Sequence, residues 1–158
     1  GTEVWRNGEK VRWGIGQARI TGALAYGEDG KEKKIFRTGE RIRMEVDYEV
    51  KEKVEDAVFG IGIYRGDGLH CYGTNTRIEQ FPIFDLEKSG RFTFTMEGLE
   101  LLPGEYDINF TIEKGMGIPV DYYTKIMRIV VYSELNEAGT CRIRHTWNWE
   151  MEERHDGN

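Results

Sequence analysis

The sequence predicts an all-β protein built as an antiparallel β-sandwich of about eight strands. Three observations lead to this fold class: apolar and polar residues alternate through most of the chain, glycine- or proline-containing turns separate the alternating segments, and no segment has helical periodicity. A chain of 158 residues suits a single domain with a sizeable core. We expect residues 1–149 to form the sandwich and the charged residues 150–158 to form a flexible tail.

Three segments in the first half of the chain carry apolar residues at alternate positions. Segment 17–26 carries them at Ala18, Ile20, Leu24 and Tyr26, and segment 40–50 at Ile42, Met44, Val46, Tyr48 and Val50. In segment 57–65 the alternating apolar residues are Phe59, Ile61 and Ile63. Such alternation is typical of strands with one buried face, so these side chains are predicted to point into the sandwich.

The second half of the chain predicts four more strands, at 91–96, 105–112, 122–132 and 141–149. The inward residues of the first two are Phe92, Phe94, Met96, Tyr106, Ile108, Phe110 and Ile112. Segment 122–132 is apolar on both faces and therefore has to be covered on both. The last segment places Cys141, Ile143, His145, Trp147 and Trp149 on one face.

The apolar residues near the C-terminus allow two interpretations. They complete the core of one subunit, or the last strand packs on, or exchanges with, a second subunit. The second interpretation predicts a homodimer, with an interface formed by Ile126, Val130, Ile143, Trp147 and Trp149.

Residues 58–76, VFGIGIYRGDGLHCYGTNT, predict a hairpin with an unusual outer face. A three-residue loop at 66–68 pairs Tyr64 with His70 and Gly62 with Tyr72. Tyr64, His70 and Tyr72 then face outwards above a floor formed by Gly60 and Gly62, while Cys71 faces inwards. We expect residues 73–76 to form the turn that ends the hairpin, with Asn75 at the rim of this face.

Aromatic side chains beside bare glycines can bind a sugar, because flat rings cover its C–H face and polar side chains bind its hydroxyl rim. If segments 105–112 and 122–132 lie beside the hairpin, they add Asp107, Asn109 and Arg128, which could bond hydroxyls or an acidic substituent. Exposed tyrosines are also common in strands, and the glycines could instead accommodate a loop or a partner chain.

Other functional classes lack the required motifs. The net charge of −6 argues against a general nucleic-acid-binding protein. The sequence contains no G-x-x-x-x-G-K-[ST], H-E-x-x-H, C-x-x-C or G-x-S-x-G pattern, and no carboxylate pair stands out. We therefore predict no metal site, cofactor, catalytic residue or enzyme activity. No apolar run approaches the roughly 20 residues of a membrane helix, and Cys71 and Cys141 are expected to be reduced.

Five stretches carry a family resemblance: RWGIGQARI at 12–20, FRTGERIRMEV at 36–46, the hairpin at 58–76, LLPGEYDINF at 101–110 and HTW at 145–147. Together they resemble the C-terminal domain of Wzt-type ABC-transporter subunits, the ATPase subunits that export O-antigen polysaccharide in bacteria. The resemblance extends from about Arg12 to Trp149. The ATPase half of that family is absent from this chain.

The resemblance implies an immunoglobulin-like sandwich that binds the exported glycan, commonly at its terminal end, without breaking bonds. It also implies a dimer that can exchange its last strand, a transporter membrane subunit as partner, and a cytoplasmic position at the inner face of the bacterial inner membrane. The family's glycan specificities differ, so the candidate residues above depend on the hairpin geometry. The alternative is a protein–protein assembly module that recognises no glycan.

Overall fold

A computed structural model describes residues 2–152, which form eleven β-strands in two sheets. The strands are β1 (Thr2–Arg6), β2 (Glu9–Gly14), β3 (Ala18–Tyr26), β4 (Ile35–Arg37), β5 (Ile42–Val50), β6 (Val54–Arg65), β7 (His70–Asn75), β8 (Phe84–Leu86), β9 (Gly90–Met96), β10 (Gly104–Lys114) and β11 (Ile118–Tyr132). No helix capable of spanning a membrane occurs in this part of the chain.

The larger sheet has the antiparallel strand order β1-β2-β11-β10-β6-β7. Two three-residue strands extend it: β4 pairs in parallel with the end of β11, and β8 pairs with the start of β6. The smaller sheet has the order β3-β5-β9. This arrangement confirms the predicted all-β sandwich, although it contains eleven strands where about eight were expected.

The core lies between the two sheets and is built largely from the alternating residues. The smaller sheet contributes Ile42, Met44 and Val46 of β5, which are fully buried, and the larger sheet contributes Tyr106, Ile108, Phe110 and Ile112 of β10. Phe92, Phe94 and Met96 of β9 are partly buried against the same core. The inward faces predicted for these three strands are therefore confirmed.

The prediction for β3 was wrong in its second half. Ile20 pairs with Tyr48 and Gly22 pairs with the adjacent Asp47, so Thr21 is an extra residue that forms a β-bulge. The bulge reverses the side-chain alternation, and Leu24 is exposed while Ala25 is buried.

The N-terminal hairpin of β1 and β2 was not predicted. Asn7 and Gly8 join its strands with φ angles of 49° and 76°, the left-handed conformation that a two-residue Asn-Gly hairpin turn requires. The Asn-Gly pair was a usable indicator of this turn, but the flanking strands contain few apolar residues.

A buried ion pair connects this hairpin with β11 of the larger sheet and with the smaller sheet. The guanidinium of Arg12 donates from Nε and Nη2 to the carboxylate of Asp121 at 2.9 and 2.7 Å. Nη2 of Arg12 also donates to the carbonyl oxygen of Ile20, whose backbone N–H donates to Asp121. Because Ile20 belongs to β3, this network connects β2 and β11 of the larger sheet with the smaller sheet.

The predicted strand at 141–149 is absent. Cys141 forms an isolated bridge with Leu101, and residues 142–152 have no regular structure. Ile143, Trp147 and Trp149 are 75%, 82% and 68% exposed. The alternation is present, but a strand also requires a neighbouring edge. Backbone hydrogen bonds join only the start of the segment to Glu100 and Leu102, and residues 143–149 pair with no strand of the described chain. Of the predicted tail at 150–158, residues 153–158 lie outside the described residues.

Candidate functional site

The candidate site is the outer face of the larger sheet, on the side away from β3, β5 and β9. Directly paired residues of neighbouring strands share a face, so the strand register assigns them to rows. Three rows cross this face: Arg128–Asp107–Tyr64–His70; Asn109–Gly62–Gly73; and Trp13–Tyr122–Thr111–Gly60–Asn75. The predicted adjacency of the three central strands, and with it the placement of Asp107, Asn109 and Arg128, is confirmed.

The register of β7 moves Tyr72 off this face. Tyr64 pairs with His70 as predicted, but Ile63 pairs with Tyr72, which leaves Cys71 as the extra residue of a bulge. Tyr72 therefore shares the face of Ile63, and the expected pairing with Gly62 was wrong. Gly73 takes that position. Residues 73–75 continue the strand and do not form the predicted turn, so Asn75 lies in the row of Gly60.

The glycines on this face make room for neighbouring side chains of the protein itself. A Cβ atom added at Gly73 would lie 2.9 Å from Nε2 of His70, and one added at Gly60 would lie 2.5 Å from Oγ1 of Thr111. The rings of Tyr64 and His70 stack with centroids 4.3 Å apart and planes 7° from parallel. The predicted bare floor is thus partly covered by this aromatic pair.

Arg128 is engaged by carboxylates of β10. Its Nε donates to Asp107 at 3.0 Å and its Nη2 to the other oxygen of Asp107 at 3.2 Å, while Nη1 donates to Glu105 at 3.1 Å. These hydrogen bonds to Asp107 raise the pKa of Arg128. The guanidinium that the sequence offered to an acidic substituent is therefore neutralised within the protein.

Asn109 shapes the strand beside it. Its side-chain oxygen accepts a hydrogen bond of 2.8 Å from the backbone N–H of Lys125, which has a φ of 52° within an irregular part of β11. Asn109 is 6% exposed. Its side chain therefore fixes the local path of β11 at the candidate site.

A second aromatic pair, Trp13 and Tyr122, was missed by the sequence analysis. The two rings stack with centroids 4.5 Å apart and planes 10° from parallel. Nζ of Lys10 lies 5.0 Å from the centroid of the Trp13 ring. Trp13 could have been assigned to this face only once β2 was known to pair with β11.

Two grooves run between these aromatic pairs. The Trp13 groove, of about 360 Å³, is lined by Glu9, Lys10, Trp13, Tyr64, Arg65, Gly66, Gly68, Asp107, Asn109, Tyr122, Thr124 and Lys125. The glycine groove, of about 250 Å³, is lined by Gly60, Ile61, Gly62, Tyr64, His70, Gly73, Thr74, Asn75, Ile78, Thr111, Glu113 and Tyr122. Tyr64 and Tyr122 belong to both grooves, so the two grooves adjoin at these tyrosines.

Burial changes the titration of two groups in the glycine groove. Desolvation raises the pKa of Tyr122, and the nearby Tyr64 and Glu113 contribute in the same direction. Desolvation also raises the pKa of Glu113, against a smaller opposing effect from Arg77. Residues 2–152 contain no group of three or more His, Cys, Asp or Glu side chains that could hold a metal ion.

A known protein family matches most of this chain. A model of the Wzt C-terminal domain matches residues 9–143. The chain belongs to the Wzt C-terminal domain family.

Two known proteins are similar to this Wzt C-terminal domain, one in sequence and one in structure. The "O-antigen export system ATP-binding protein RfbB" of Myxococcus xanthus is 25% identical over 132 residues, which cover 84% of this chain and 29% of that protein. The chain thus spans less than a third of this curated relative. The crystal structure of the C-terminal domain of Wzt has a TM-score of 0.81 and 20% identity, over 88% of this chain and 87% of that one. It confirms the immunoglobulin-like sandwich.

The residues predicted for a dimer interface belong to two segments of this Wzt C-terminal domain, β11 and the residues after Cys141. Ile126 is partly buried against the core of its own subunit, so it is not the surplus residue that the sequence suggested. Val130 is half-buried and pairs with Ile35 of β4. Ile143, Trp147 and Trp149 lie on the exposed segment that follows Cys141.

Proposed function

We propose that this domain binds the polysaccharide of an O-antigen export system and makes or breaks no covalent bond. The observation that carries the proposal is the pair of aromatic stacks, Trp13–Tyr122 and Tyr64–His70, on one face of the sheet. The row of Trp13 and Tyr122 continues through Thr111 and Gly60 to Asn75, which supply hydroxyl and amide groups beside a glycine. Aromatic rings suit the C–H faces of sugars, and such polar groups suit their hydroxyls.

The shape of the face favours an extended ligand bound with modest affinity. The two grooves adjoin at Tyr64 and Tyr122, so consecutive sugar units could occupy both. Both grooves are open to solvent, where water competes for each hydrogen bond and the bound glycan loses conformational freedom. We therefore expect binding to depend on several weak contacts rather than on one deep pocket.

The role in transport follows from the family and from the relative's name. In this proposal an ATP-binding subunit carries the domain at the cytoplasmic face of the inner membrane, beside the membrane-embedded subunit of the transporter. The domain recognises the glycan, preferentially its terminal end, and so couples chain completion to export. ATP hydrolysis belongs to another part of that subunit.

A binding titration with matched tryptophan variants tests this function. O-polysaccharides from bacterial lipopolysaccharides, with intact and with removed chain ends, are titrated into the labelled domain and followed by NMR. We expect shifts at the backbone amides of Tyr64, Thr111 and Tyr122, and at least a tenfold loss of affinity in Trp13→Ala. The control is Trp5→Ala, because Trp5 is exposed and lines neither groove. Equal loss in both variants, or no shift with any glycan, would contradict the proposal.

A second candidate function is assembly of a homodimer, favoured by the exposed aromatic residues after Cys141. Ile143, Trp147 and Trp149 have no core to cover within the described chain, and burying them against a second copy would be favourable. Sedimentation of the chain truncated after Gly139 should give a monomer where the full chain gives a dimer. A dimer that persists after truncation would exclude strand exchange through this segment.

A further inference from the structure

We infer that the site selects electrically neutral glycans and rejects those carrying carboxylate or phosphate groups. This inference rests on the proposed function and names the substrate class of the same face. Its basis is the distribution of charge around the two grooves. A site for an anionic sugar presents a cation that is available to the ligand, whereas the cations that line the Trp13 groove are paired with carboxylates of the protein.

Three cations line the Trp13 groove, and each has a carboxylate partner. Nη2 of Arg65 lies 2.7 Å from Asp67, and Nζ of Lys125 lies 3.2 Å from Glu9. Nζ of Lys10 forms the longest of these pairs, 3.7 Å from Glu3. An anionic ligand would have to displace one of these carboxylates to gain a pairing that the protein already makes.

The fourth nearby cation is Arg128, at the end of the row that contains Asp107 and Tyr64. Two carboxylates, those of Asp107 and Glu105, accept its hydrogen bonds. The local charge at this end of the face is therefore negative rather than positive, and it repels an acidic substituent.

The glycine groove contains an acidic group that forms no ion pair within the described chain, although the positive charge of Arg77 opposes part of the effect of its burial. Glu113 lines this groove on the same side of β10 as Thr111, and its carboxylate forms no ion pair within residues 2–152. It is half-buried, and loss of hydration already disfavours its charged form. A second negative charge brought into this groove would add like-charge repulsion beside the half-buried carboxylate of Glu113. Glu113 is thus the specificity-determining residue, because it acts against the wrong ligand.

The experiment compares one glycan in three chemical states. A neutral O-polysaccharide that binds in the titration above is oxidised at its primary hydroxyls to carboxylates, and part of that product is converted to the methyl ester. Titrations are run at pH 8, where an ordinary histidine is neutral. We expect the oxidised glycan to bind at least tenfold more weakly and the uncharged ester to recover most of that loss. The loss should shrink at high salt.

Glu113→Gln tests the residue, with Glu87→Gln as the control of equal charge change, because Glu87 lines neither groove. The ratio between neutral and oxidised affinities should fall several-fold in Glu113→Gln and stay unchanged in Glu87→Gln. Thermal unfolding of both variants establishes that they fold. An unchanged ratio in Glu113→Gln would overturn the role of Glu113.

The outcomes separate the two proposals. Stronger binding of acidic than of neutral O-polysaccharides would overturn the selection of neutral glycans while leaving glycan binding intact. Failure of every glycan, neutral or acidic, to bind would overturn the proposed function and this inference together.

Discussion

The indole ring of Trp13 lies on the phenol ring of Tyr122, 4.5 Å between centroids and 10° from parallel. The two residues are also directly opposite each other across β2 and β11. The stack therefore stabilises the packing of the N-terminal hairpin against the rest of the larger sheet. It also forms one wall of the Trp13 groove. Stability of the hairpin and shape of the groove depend on the same contact.

Replacing Tyr122 measures this contact. Tyr122→Ala removes a half-buried ring and its stacking contact with Trp13, and should lower the free energy of unfolding by about 2–3 kcal/mol. Tyr122→Phe keeps the stacked ring and should cost less than about 1 kcal/mol. Urea unfolding of both variants, and of each combined with Trp13→Ala, gives the coupling energy. A coupling near zero would mean that the stack contributes nothing beyond the burial of each ring.

Gly60 should not tolerate a side chain. A Cβ atom there would lie 2.5 Å from Oγ1 of Thr111, so Gly60→Ala should destabilise the domain by about 1–3 kcal/mol. The double variant Gly60→Ala/Thr111→Ala removes the obstructing oxygen and should recover a substantial part of that loss. Gly22→Ala is the control, because a Cβ there meets nothing within 4 Å. Equal cost at both glycines in urea unfolding would contradict the steric explanation.

The hairpin tip should titrate at unusually low pH. The guanidinium of Arg65 and the backbone N–H of Leu69 hydrogen-bond to Asp67 and lower its pKa to about 2. Because the folded-state pKa lies below the unfolded value of about 3.9, the stabilising contribution of Asp67 is present above that value. It is lost as the pH falls towards 2.

Two measurements check the titration of Asp67. The difference in unfolding midpoint between the wild type and Asp67→Asn should be largest above about pH 4 and should shrink at lower pH. In the ¹³C NMR titration of the carboxyl carbon, Arg65→Met should raise the pKa of Asp67 towards its ordinary value. A pKa that stays near 2 in Arg65→Met would show that the guanidinium is not the cause.

Tyr64 and Tyr72 should differ in their effect on glycan binding although they belong to one hairpin. Tyr64 lines both grooves, whereas Tyr72 lies on the face of Ile63 and lines neither. Tyr64→Ala should therefore weaken binding of an O-polysaccharide at least tenfold, and Tyr72→Ala should change it less than twofold. Calorimetric titration of both variants decides the matter. Loss of binding in Tyr72→Ala alone would place the glycan on the opposite side of β7.

The Arg12–Asp121 ion pair should be costly to break from one side. Asp121→Ala leaves a guanidinium with little access to water and no carboxylate, and should cost about 3 kcal/mol or more. Removing both charges in Arg12→Met/Asp121→Leu should cost less than the single change. Asp47→Ala, which breaks an exposed pair with Arg91, should cost less than about 1 kcal/mol in the same denaturation assay.

Alternation in the sequence predicted the centre of the core, and an assumed immunoglobulin-like strand order was needed in addition to place the central residues of the site. Ile42, Met44 and Val46 are buried as their positions predicted. Asp107 pairs with Tyr64 because β10 and β6 are neighbours, as an immunoglobulin-like order requires. Both results depend on regular strands, in which every second side chain shares a face.

The errors occurred at β-bulges and where strand pairing determines which residues share a face. Bulges at Thr21 and Cys71 reversed the faces of Leu24 and Tyr72, and nothing in the residue pattern marks a bulge that is fixed by the partner strand. Trp13 joined the site through the pairing of β2 with β11, a long-range contact. Trp147 shows the converse, because its segment alternates like a strand but pairs with the described chain only at its start, around Cys141.

The bulge in β7 determines which of its side chains lie on the outer face of the larger sheet. Because Cys71 is one extra residue in β7, it determines the face on which each later side chain of the strand lies. Gly73 and Asn75 therefore lie on the outer face, in place of Tyr72 and Thr74. Ile61 and Ile63 of the neighbouring β6 lie in the core whichever way the side chains of β7 alternate. A change of one residue in the length of this edge strand would therefore exchange the side chains that β7 presents on the outer face of the sheet, while the interior of the sandwich stays the same.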